Sequence, residues 1–253
     1  MASIYVYYRI SDTPAWGPER KKLPYVNNEN CLKNFIENFR PNNLYIVADA
    51  IGDATRALLD SLRKKIDFFV ENVNNKSGSA TFMHVFDLAL KHGDEDIIYF
   101  VEDDFLHLPG TQAILLEAFN ETDADYVTLF DHLDKYVNRK DGGPNPFVKH
   151  GGEPTRVIVT RSTHWKMTNS TVLTFAARVK TLREDEKEWR KCARSKVPSD
   201  YMTFIKLTKA LFFFRPFKKK RTLIHPIPAR ATHGGTAYLS PFIDWGAVAR
   251  LES

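Results

Sequence analysis

The sequence has few cysteines and no long apolar run. Its 253 residues include two cysteines, Cys31 and Cys192, which are too few and too isolated for a disulfide framework or a cysteine zinc site. No apolar run approaches the roughly 20 residues that cross a bilayer. The N-terminal residues lead directly into a strand-like run rather than a signal sequence. These absences predict a reducing compartment, and we expect a cytoplasmic protein.

Composition and net charge are also unremarkable for a folded chain. Hydrophobic residues make up 43% and charged residues 26% of the sequence, which excludes a mainly disordered, collagen-like or low-complexity protein. The 36 basic and 31 acidic residues give a formal net charge of +5. That charge favours an anionic ligand without identifying one.

Apolar runs alternate with helix-like patterns through the first half of the chain. Strands are predicted at residues 4–8, 44–48, 67–73, 97–101 and 126–130. Helices are predicted at residues 30–40, after a cap at Asp53, at residues 79–91 and from Thr111. Strands separated by helices of about ten to fifteen residues are typical of a parallel sheet built from strand–helix–strand units.

The alternation ends near residue 131. A β-branched run at residues 156–161 is predicted to pair antiparallel with its neighbour, helices are predicted at residues 173–194 and 200–213, and residues 223–253 show little periodicity. We therefore predict one α/β domain over residues 1–253, with a mostly parallel central sheet flanked by helices. Its second half, residues 131–253, elaborates the first, residues 1–130.

Three consecutive carboxylates, Glu102, Asp103 and Asp104, directly follow the apolar strand at residues 97–101. Ligands of open α/β sheets bind outside the carboxyl ends of the strands. Two carboxylates about 4 Å apart repel by roughly 4 kcal/mol at an effective dielectric constant near 20, and a divalent cation with oxygen ligands reverses that repulsion. The triplet is thus either a metal site or a solvated acidic turn.

Two further segments precede this triplet. Asp49, Asp53 and Thr55 follow the second strand, and the stretch from Asn75 to Gly78 follows the third. This succession, ending in a DxD-type motif, resembles the nucleotide-sugar half of GT-A-fold glycosyltransferases, and of the inverting family 2 in particular. The resemblance covers roughly residues 3–130, although the turn at Asp49 has one aspartate where the family often has two. It implies a GT-A-like, Rossmann-like fold whose residues 131–253 bind the acceptor.

The resemblance implies a donor site for a nucleotide sugar at the ends of the first strands, and by the same resemblance we expect a UDP-sugar. Asp49 would accept a hydrogen bond from the uracil or ribose. Tyr7, Tyr8 and Arg9 would line or stack on the base. Gly78 would let the backbone approach the nucleotide closely. Each residue also has a purely structural alternative. Asp49 would be a turn residue at the entry to a helix, the residues from Tyr7 to Arg9 would pack at the sheet edge, and Gly78 would be an ordinary loop glycine.

The resemblance also implies a metal. Glu102 would contact the sugar or ribose, Asp103 would lie between, and Asp104 would bind Mn²⁺ or Mg²⁺, which stabilises the departing nucleoside diphosphate as a Lewis acid. Some GT-A enzymes complete the metal shell with a histidine near the C-terminus, and His233 in its glycine-rich segment is similar. An imidazole ligand would favour Mn²⁺. A loop histidine bonded to the backbone is the alternative.

An inverting transfer needs a base that takes the proton of the acceptor hydroxyl. Asp200, at a predicted helix start, lies where family 2 enzymes carry this base, although capping chemistry explains the same residue. His164 and Trp165 would face the acceptor, with core packing of Trp165 as the alternative. Asp131 ends the fifth predicted strand and either lines the acceptor cleft or, with its neighbour His132, belongs to a rival metal site.

Other readings of the sequence remain open. A sugar-phosphate nucleotidyltransferase uses similar carboxylate and metal chemistry; it usually has a glycine-rich basic loop after the first strand, where this chain has Arg20, Lys21 and Lys22 without a glycine run. A retaining GT-A transferase is another possibility. The aromatic and basic stretch from Arg215 to Arg221 is either a solvated basic turn beside packed aromatic residues or a surface that contacts an anionic membrane, a diphosphate or nucleic acid. In the non-enzyme alternative, the protein is a basic module that binds nucleic acid or membranes.

Overall fold

The computed structural model describes residues 2–13, 22–143, 145–209, 220–235 and 239–250. The strands are β1 (Ile4–Ser11), β2 (Leu44–Asp49), β3 (Phe69–Val73), β4 (Ile97–Glu102), β5 (Phe105–His107), β6 (Tyr126–Val127), β7 (Val157–Val159), β8 (His164–Met167), β9 (Phe175–Arg178), β10 (Leu223–Ile227) and β11 (Ala231–His233). The helices are α1 (Asn28–Phe39), α2 (Asp53–Arg63), α3 (Gly78–Ala89), α4 (Thr111–Glu121), α5 (Val179–Cys192), α6 (Asp200–Lys209) and α7 (Trp245–Ala249).

Nine strands form one central sheet in the order β3-β2-β1-β4-β9-β6-β10-β8-β7. The first four strands are all parallel, and β9, β8 and β7 join antiparallel to their neighbours. Helices α1, α2 and α4 cover one face, and α3, α5 and α6 cover the other. Burial on both faces explains why β4 is apolar at five consecutive positions. The predicted α/β fold is confirmed.

The parallel strands bring their carboxyl ends to one edge of the sheet. Ser11 pairs with Asp49 across β1 and β2, and Arg9 pairs with Glu102 across β1 and β4. Residues far apart in the chain therefore meet at this edge, because each strand stops there and turns toward the next helix. It is the edge at which open α/β sheets bind ligands.

The second half departs from the prediction at residues 173–194. A single helix was expected, but Phe175–Arg178 forms β9, which inserts between β4 and β6, and the helix begins at Val179. Phe175, Ala176 and Ala177 are fully buried. Pairing on both sides and burial on both faces outweigh the local helix preference of the two alanines.

The tail contains more structure than its lack of periodicity predicts. Strand β10 joins the central sheet, and β11 pairs with β5 in a separate two-stranded sheet. The register places His233 opposite Phe105, directly beside the acidic triplet. The predicted extension of α6 to residue 213 lies outside the described residues.

The entry to α2 also differs from the prediction. Asp53 is the first helical residue, and Gly52 is the N-cap because Arg56 donates its N–H to the Gly52 carbonyl at 3.0 Å. Gly52 has no side chain to accept from the first helical turn. Asp12, which follows β1, instead holds this turn from outside: its Oδ2 accepts from Gly52 N at 2.6 Å, and its Oδ1 accepts from Thr55 Oγ1 at 2.7 Å. The predicted cap at Asp53 is therefore wrong, since Gly52 occupies the N-cap position and Asp53 is the first residue of the helix.

None of the helices in the described ranges is both long enough and apolar enough to cross a membrane.

Candidate active site

The acidic triplet lies in a tight turn between β4 and β5, and the backbone around it is fixed. Ser11 donates its N–H to Asp103 Oδ2 at 2.9 Å, and Gly234 donates its N–H to the Asp104 carbonyl at 2.7 Å. Burial raises the pKa of Asp103. The neighbouring Asp104 carboxylate raises it further, and the positive charge of Lys22 lowers it. The turn is therefore an organised, partly desolvated site and not a freely solvated acidic loop.

Arg9 joins the first carboxylate to the loop before α3. Its Nη2 donates to Glu102 Oε2 at 2.7 Å and its Nη1 donates to the Gly78 carbonyl at 2.9 Å. Burial raises the pKa of Glu102 to about 7 even though Arg9 opposes this shift. The other oxygen, Glu102 Oε1, is buried and has no hydrogen-bond partner among the described residues. Such an acceptor is suited to a ligand hydroxyl.

His233 reaches the last carboxylate of the triplet. Its Nε2 lies 3.1 Å from Asp104 Oδ2. Although burial opposes ionisation, His233 and Lys22 hold the pKa of Asp104 well below its usual range. Gly234 allows this approach, because a Cβ there would lie 2.2 Å from Val26 Cγ1.

The chemistry of these donors suits a divalent cation in part. Two ligands that bind one ion at about 2.1 Å are roughly 3 Å apart, which matches the spacing of Asp104 and His233. However, Gly235 donates its N–H to His233 Nδ1 at 3.1 Å. This bond leaves the imidazole proton on Nε2 in the neutral ring, so His233 as arranged donates to Asp104 and would ligate a metal only after losing the Gly235 bond.

A complete protein shell for a metal is absent from the described ranges, where no three His, Cys, Asp or Glu side chains gather around one point. Mg²⁺ is commonly held by one or two carboxylates together with waters and substrate phosphates. Asp104 and Asp103 meet that smaller requirement.

Lys22 is the residue here whose position the sequence did not reveal. Its Nζ lies 3.5 Å from Asp104 Oδ2 and 3.8 Å from Asp103 Oδ1. The two carboxylates outweigh burial and raise the pKa of Lys22. An antiparallel bridge between Lys22 and Gly235 brings it there, and a contact between residues so distant in the chain leaves no local signal.

Asp49 lies at the same edge and holds the loop before α3. Its Oδ1 accepts from the N–H groups of Asn75 and Lys76 at 2.8 and 3.1 Å, and its Oδ2 accepts from Thr81 Oγ1 at 2.5 Å. The carboxylate therefore orders the segment that leads to Gly78. Its direct contact with a uracil or ribose stays a prediction.

Tyr7 and Tyr8 are both occupied by contacts within the protein. The Tyr7 ring stacks on Tyr45, and its hydroxyl lies 2.9 Å from His92 Nε2. Tyr8 is fully buried and packs against Phe35. Neither ring presents a free face at the carboxyl edge, so we omit both from the donor site that we propose below.

Asp200, the first residue of α6, anchors a strained loop. Its Oδ2 accepts from Thr171 Oγ1 at 2.7 Å and from Leu173 N at 2.9 Å. Val172 and Leu173 adopt positive φ angles of 47° and 58°, which is costly for residues with branched side chains. Since Glu102 N donates to Thr174 Oγ1 at 3.2 Å, this loop connects Asp200 to the acidic triplet.

The predicted acceptor residues are divided between core and surface. Trp165 is fully buried and donates its Nε1–H to Thr160 Oγ1 at 2.8 Å. Its ring has no exposed face for a sugar, so we assign it to the core. His164, its neighbour on β8, is exposed. The two side chains point to opposite faces because β-strand side chains alternate.

Asp131 belongs to a buried polar cluster that also includes Tyr136 and His225. Tyr136 donates its hydroxyl proton to this carboxylate, at 2.7 Å from Oδ2, and His225 Nε2 lies 3.4 Å from Oδ1. Burial raises the pKa of Asp131 to about 6, against the stabilising bond from Tyr136 and the charge of Lys166. With its carboxylate held by these side chains, the contact of Asp131 with an acceptor stays a prediction.

The basic stretch from Arg215 to Arg221 lies mostly outside the described residues. Arg221 itself is buried, with Nε 2.8 Å from Asp185 Oδ2 and Nη1 3.1 Å from Asp125 Oδ1. Arg221 is therefore part of an internal ion network and not of an exposed basic surface, which corrects its place in the predicted membrane contact.

Comparison with known proteins identifies a family. Residues 23–184 match the model of glycosyl transferase family 2, which is more than half of the chain. A search of curated protein sequences finds no match.

Solved structures show the fold that these residues share. S. aureus TarS is 14% identical, with a TM-score of 0.50 over 80% of this chain and 33% of TarS. In the shorter crystallised chain, TarS 1–349, the match covers 54% of that chain at a TM-score of 0.49, so the present chain spans about half its length. A Bacillus anthracis protein, provisionally assigned as a glucose-1-phosphate thymidylyltransferase, is 11% identical with a TM-score of 0.51 over 93% of this chain and 91% of that one.

Proposed function

The chain belongs to glycosyl transferase family 2, and on that premise we propose that it transfers a sugar from a nucleoside diphosphate donor to a hydroxyl group of a glycan or lipid-linked acceptor. The observation that carries this proposal is the meeting of Glu102, Asp104 and His233 at the carboxyl edge of the parallel strands. Carboxylates concentrated at this edge of an open α/β sheet are suited to a charged ligand.

We propose that the donor lies along the ends of β1 and β4. The free Glu102 Oε1 would accept a hydroxyl of the ribose or sugar, while Arg9 holds the other oxygen. Gly78 and Asp49 shape the loop on the nucleotide side. The resemblance of residues 3–130 to the nucleotide-sugar half of GT-A glycosyltransferases makes UDP the first nucleotide to test.

Mn²⁺ or Mg²⁺ would be held by Asp104, with Asp103 beside it, and would supply Lewis acidity to the departing diphosphate. His233 would orient the Asp104 carboxylate through its Nε2, which lies 3.1 Å from Oδ2. It becomes a ligand itself only when its Nδ1 gives up the Gly235 N–H.

Asp200 is proposed as the base. Its carboxylate would take the proton of the acceptor hydroxyl while the hydroxyl oxygen attacks the anomeric carbon from the side opposite the nucleotide. The bond between that carbon and the diphosphate oxygen breaks, its electron pair leaves with the nucleoside diphosphate, and the configuration inverts. The bonds from Thr171 and Leu173 would orient the carboxylate for this role.

Hydrolysis of the donor, with water as the acceptor, tests this proposal without knowledge of the natural acceptor. UDP release and the anomer of the free sugar are followed by NMR for a panel of UDP-α-sugars with Mn²⁺. We expect the β-anomer to form first and release to fall sharply in Asp200→Asn. Initial formation of the α-anomer would show retention of configuration and contradict inversion. Absence of UDP release from every donor would count against the transferase.

A nucleotidyltransferase is the second candidate. The similarity to the Bacillus anthracis structure covers nearly the whole of both chains, although at 11% identity it shows the fold alone. The two candidates differ in the bond that breaks: a nucleotidyltransferase given a sugar 1-phosphate and a nucleoside triphosphate releases pyrophosphate. Pyrophosphate release under those conditions, without UDP release from UDP-sugars, would favour the second candidate.

A further inference from the structure

Lys22 places an ammonium group between the last two carboxylates of the acidic triplet. Its Nζ lies 3.5 Å from Asp104 Oδ2 and 3.8 Å from Asp103 Oδ1. Both carboxylate side chains are 18% exposed, whereas the Lys22 side chain is 44% exposed. Part of the Lys22 side chain is therefore open to solvent, beside two carboxylates that are largely covered.

The backbone of Lys22 is tied to the same turn. Lys22 forms an antiparallel bridge with Gly235, and the neighbouring Gly234 donates its N–H to the Asp104 carbonyl at 2.7 Å. Val26, four residues after Lys22, packs so closely on Gly234 that a Cβ there would lie 2.2 Å from its Cγ1. The root of the Lys22 side chain is thus fixed beside the site, and its long stem leaves the ammonium free to change partners.

A divalent cation held by Asp104 and Asp103 would compete with the Lys22 ammonium for the same two carboxylates. Two cations that share these oxygens repel each other at short range. A nucleoside diphosphate that arrived with the metal would bring new negative charge within reach of the Lys22 ammonium. Lysine binds phosphate oxygens as a point charge.

We propose that Lys22 is the resident counter-ion of Asp103 and Asp104, and that its side chain turns to the donor diphosphate when a divalent cation binds, so that the ammonium exchanges a carboxylate partner for a phosphate partner. This inference rests on the proposed function. Lys22 then opposes the binding of the metal alone and supports the binding of metal and nucleotide together. Metal and nucleotide become coupled ligands, each raising the affinity for the other by the same factor.

The Lys22→Met variant separates these two effects, because it keeps the length of the stem and removes the charge. Binding of Mn²⁺ alone, and of UDP at saturating Mn²⁺, is measured calorimetrically on the full chain. We expect Lys22→Met to bind Mn²⁺ alone about 10-fold more tightly and UDP with Mn²⁺ about 10-fold more weakly. Lys22→Arg retains the charge and is expected to stay within a few fold of the wild type for UDP.

Lys33→Met is the matched control. Lys33 is 40% exposed and pairs with Glu29 on α1, outside the site. Its replacement by methionine removes the same charge as Lys22→Met does. Both affinities should match the wild type in this variant. Thermal unfolding of all the variants shows whether each is folded at the temperature of the titration.

Opposite changes in the two affinities support the inference. If Lys22→Met weakens both, Lys22 maintains the structure of the turn, and the inference is overturned. Unchanged affinities overturn it as well, while the proposed function stands as long as the wild type binds UDP with Mn²⁺. If the wild type binds Mn²⁺ but no UDP, the proposed function is overturned. The inference about Lys22 is then overturned as well, because no diphosphate is bound to receive the ammonium.

Discussion

Arg9 and Glu102 stand opposite each other on neighbouring parallel strands, and Arg9 Nη2 donates to Glu102 Oε2 at 2.7 Å. The two side chains are only 9% and 19% exposed. The pair joins the first carboxylate of the triplet to the end of β1. It also orders the entry to α3, because the same guanidinium donates to the Gly78 carbonyl.

Replacement of Arg9 by methionine should therefore destabilise the protein. It leaves Glu102 without its cation in a poorly solvated position, where the acid must either stay charged or take up a proton, and loss of one partner of a buried pair costs about 3 kcal/mol. We expect a fall of about that size in the free energy of unfolding, measured in urea at pH 8. The Arg9→Met, Glu102→Met double variant has no unpaired charge and should recover part of the loss. Equal instability of the single and double variants would show that the pair is not the cause.

Asp200→Asn should separate catalysis from structure. The asparagine carbonyl still accepts from Thr171 and Leu173, so the loop and UDP binding are retained, but the amide takes no proton. Turnover, measured as UDP release, should fall by about 10²- to 10⁴-fold. Asp200→Ala also removes the two hydrogen bonds and should cost roughly 1–3 kcal/mol of stability. Wild-type turnover in Asp200→Asn would remove Asp200 from the role of base.

Gly234→Ala tests how closely the His233 segment packs on the loop after Lys22. The added methyl group overlaps Val26, and such overpacking typically costs about 1–3 kcal/mol. Relief of this overlap would displace the Gly234 backbone, which should also weaken Mn²⁺ binding because the Gly234 N–H bonds to the Asp104 carbonyl. Val26→Ala removes the two overlapping methyl groups, at 2.2 and 2.7 Å, and leaves only its Cβ, at 2.9 Å. The double variant should therefore bind Mn²⁺ more tightly than Gly234→Ala alone, and no recovery would argue against this contact.

A buried histidine predicts a loss of stability in acid. Burial lowers the pKa of His107 to about 3, and its Nε2 lies 2.8 Å from the Tyr99 hydroxyl. Between pH 6.5 and 3 the unfolded chain binds a proton at this residue that the folded chain excludes, so stability falls as the pH falls. The slope that His107 contributes is up to about 1.4 kcal/mol per pH unit.

The variant that tests this slope replaces both partners. His107→Phe with Tyr99→Phe removes the titrating ring and leaves no unpaired hydroxyl. Urea denaturation between pH 7.5 and 5 should show a shallower loss of stability in this double variant than in the wild type. Parallel slopes would mean that His107 binds its proton equally well in the folded and the unfolded chain.

The first half of the fold could be predicted because its elements obey local rules. The apolar strand at Ile97–Glu102 and the periodic helix at Asn28–Phe39 are each visible in a short window of sequence. Strand β1 runs three residues beyond its predicted end, through Arg9 to Ser11. A charged residue stays in this strand because Glu102 stands opposite it, and that partner is 93 residues away.

The second half is determined by contacts that no local window contains. Residues Phe175–Arg178 resemble the start of a helix until β4 and β6 are present to pair with them. The acidic triplet was visible as a cluster in the sequence. Its proximity to His233 depends on the three-residue pairing of β11 with β5, and the position of Lys22 depends on one bridge to Gly235.

Calorimetric titration of the wild type and Asp104→Ala with UDP and with GDP, each with and without Mn²⁺, tests the central claim most directly. Asp60→Asn, an exposed carboxylate on α2, is the control. The account predicts micromolar UDP binding that requires Mn²⁺, survives in Asp60→Asn and is lost in Asp104→Ala. Failure of the wild type to bind either nucleotide in the presence of Mn²⁺ would contradict it.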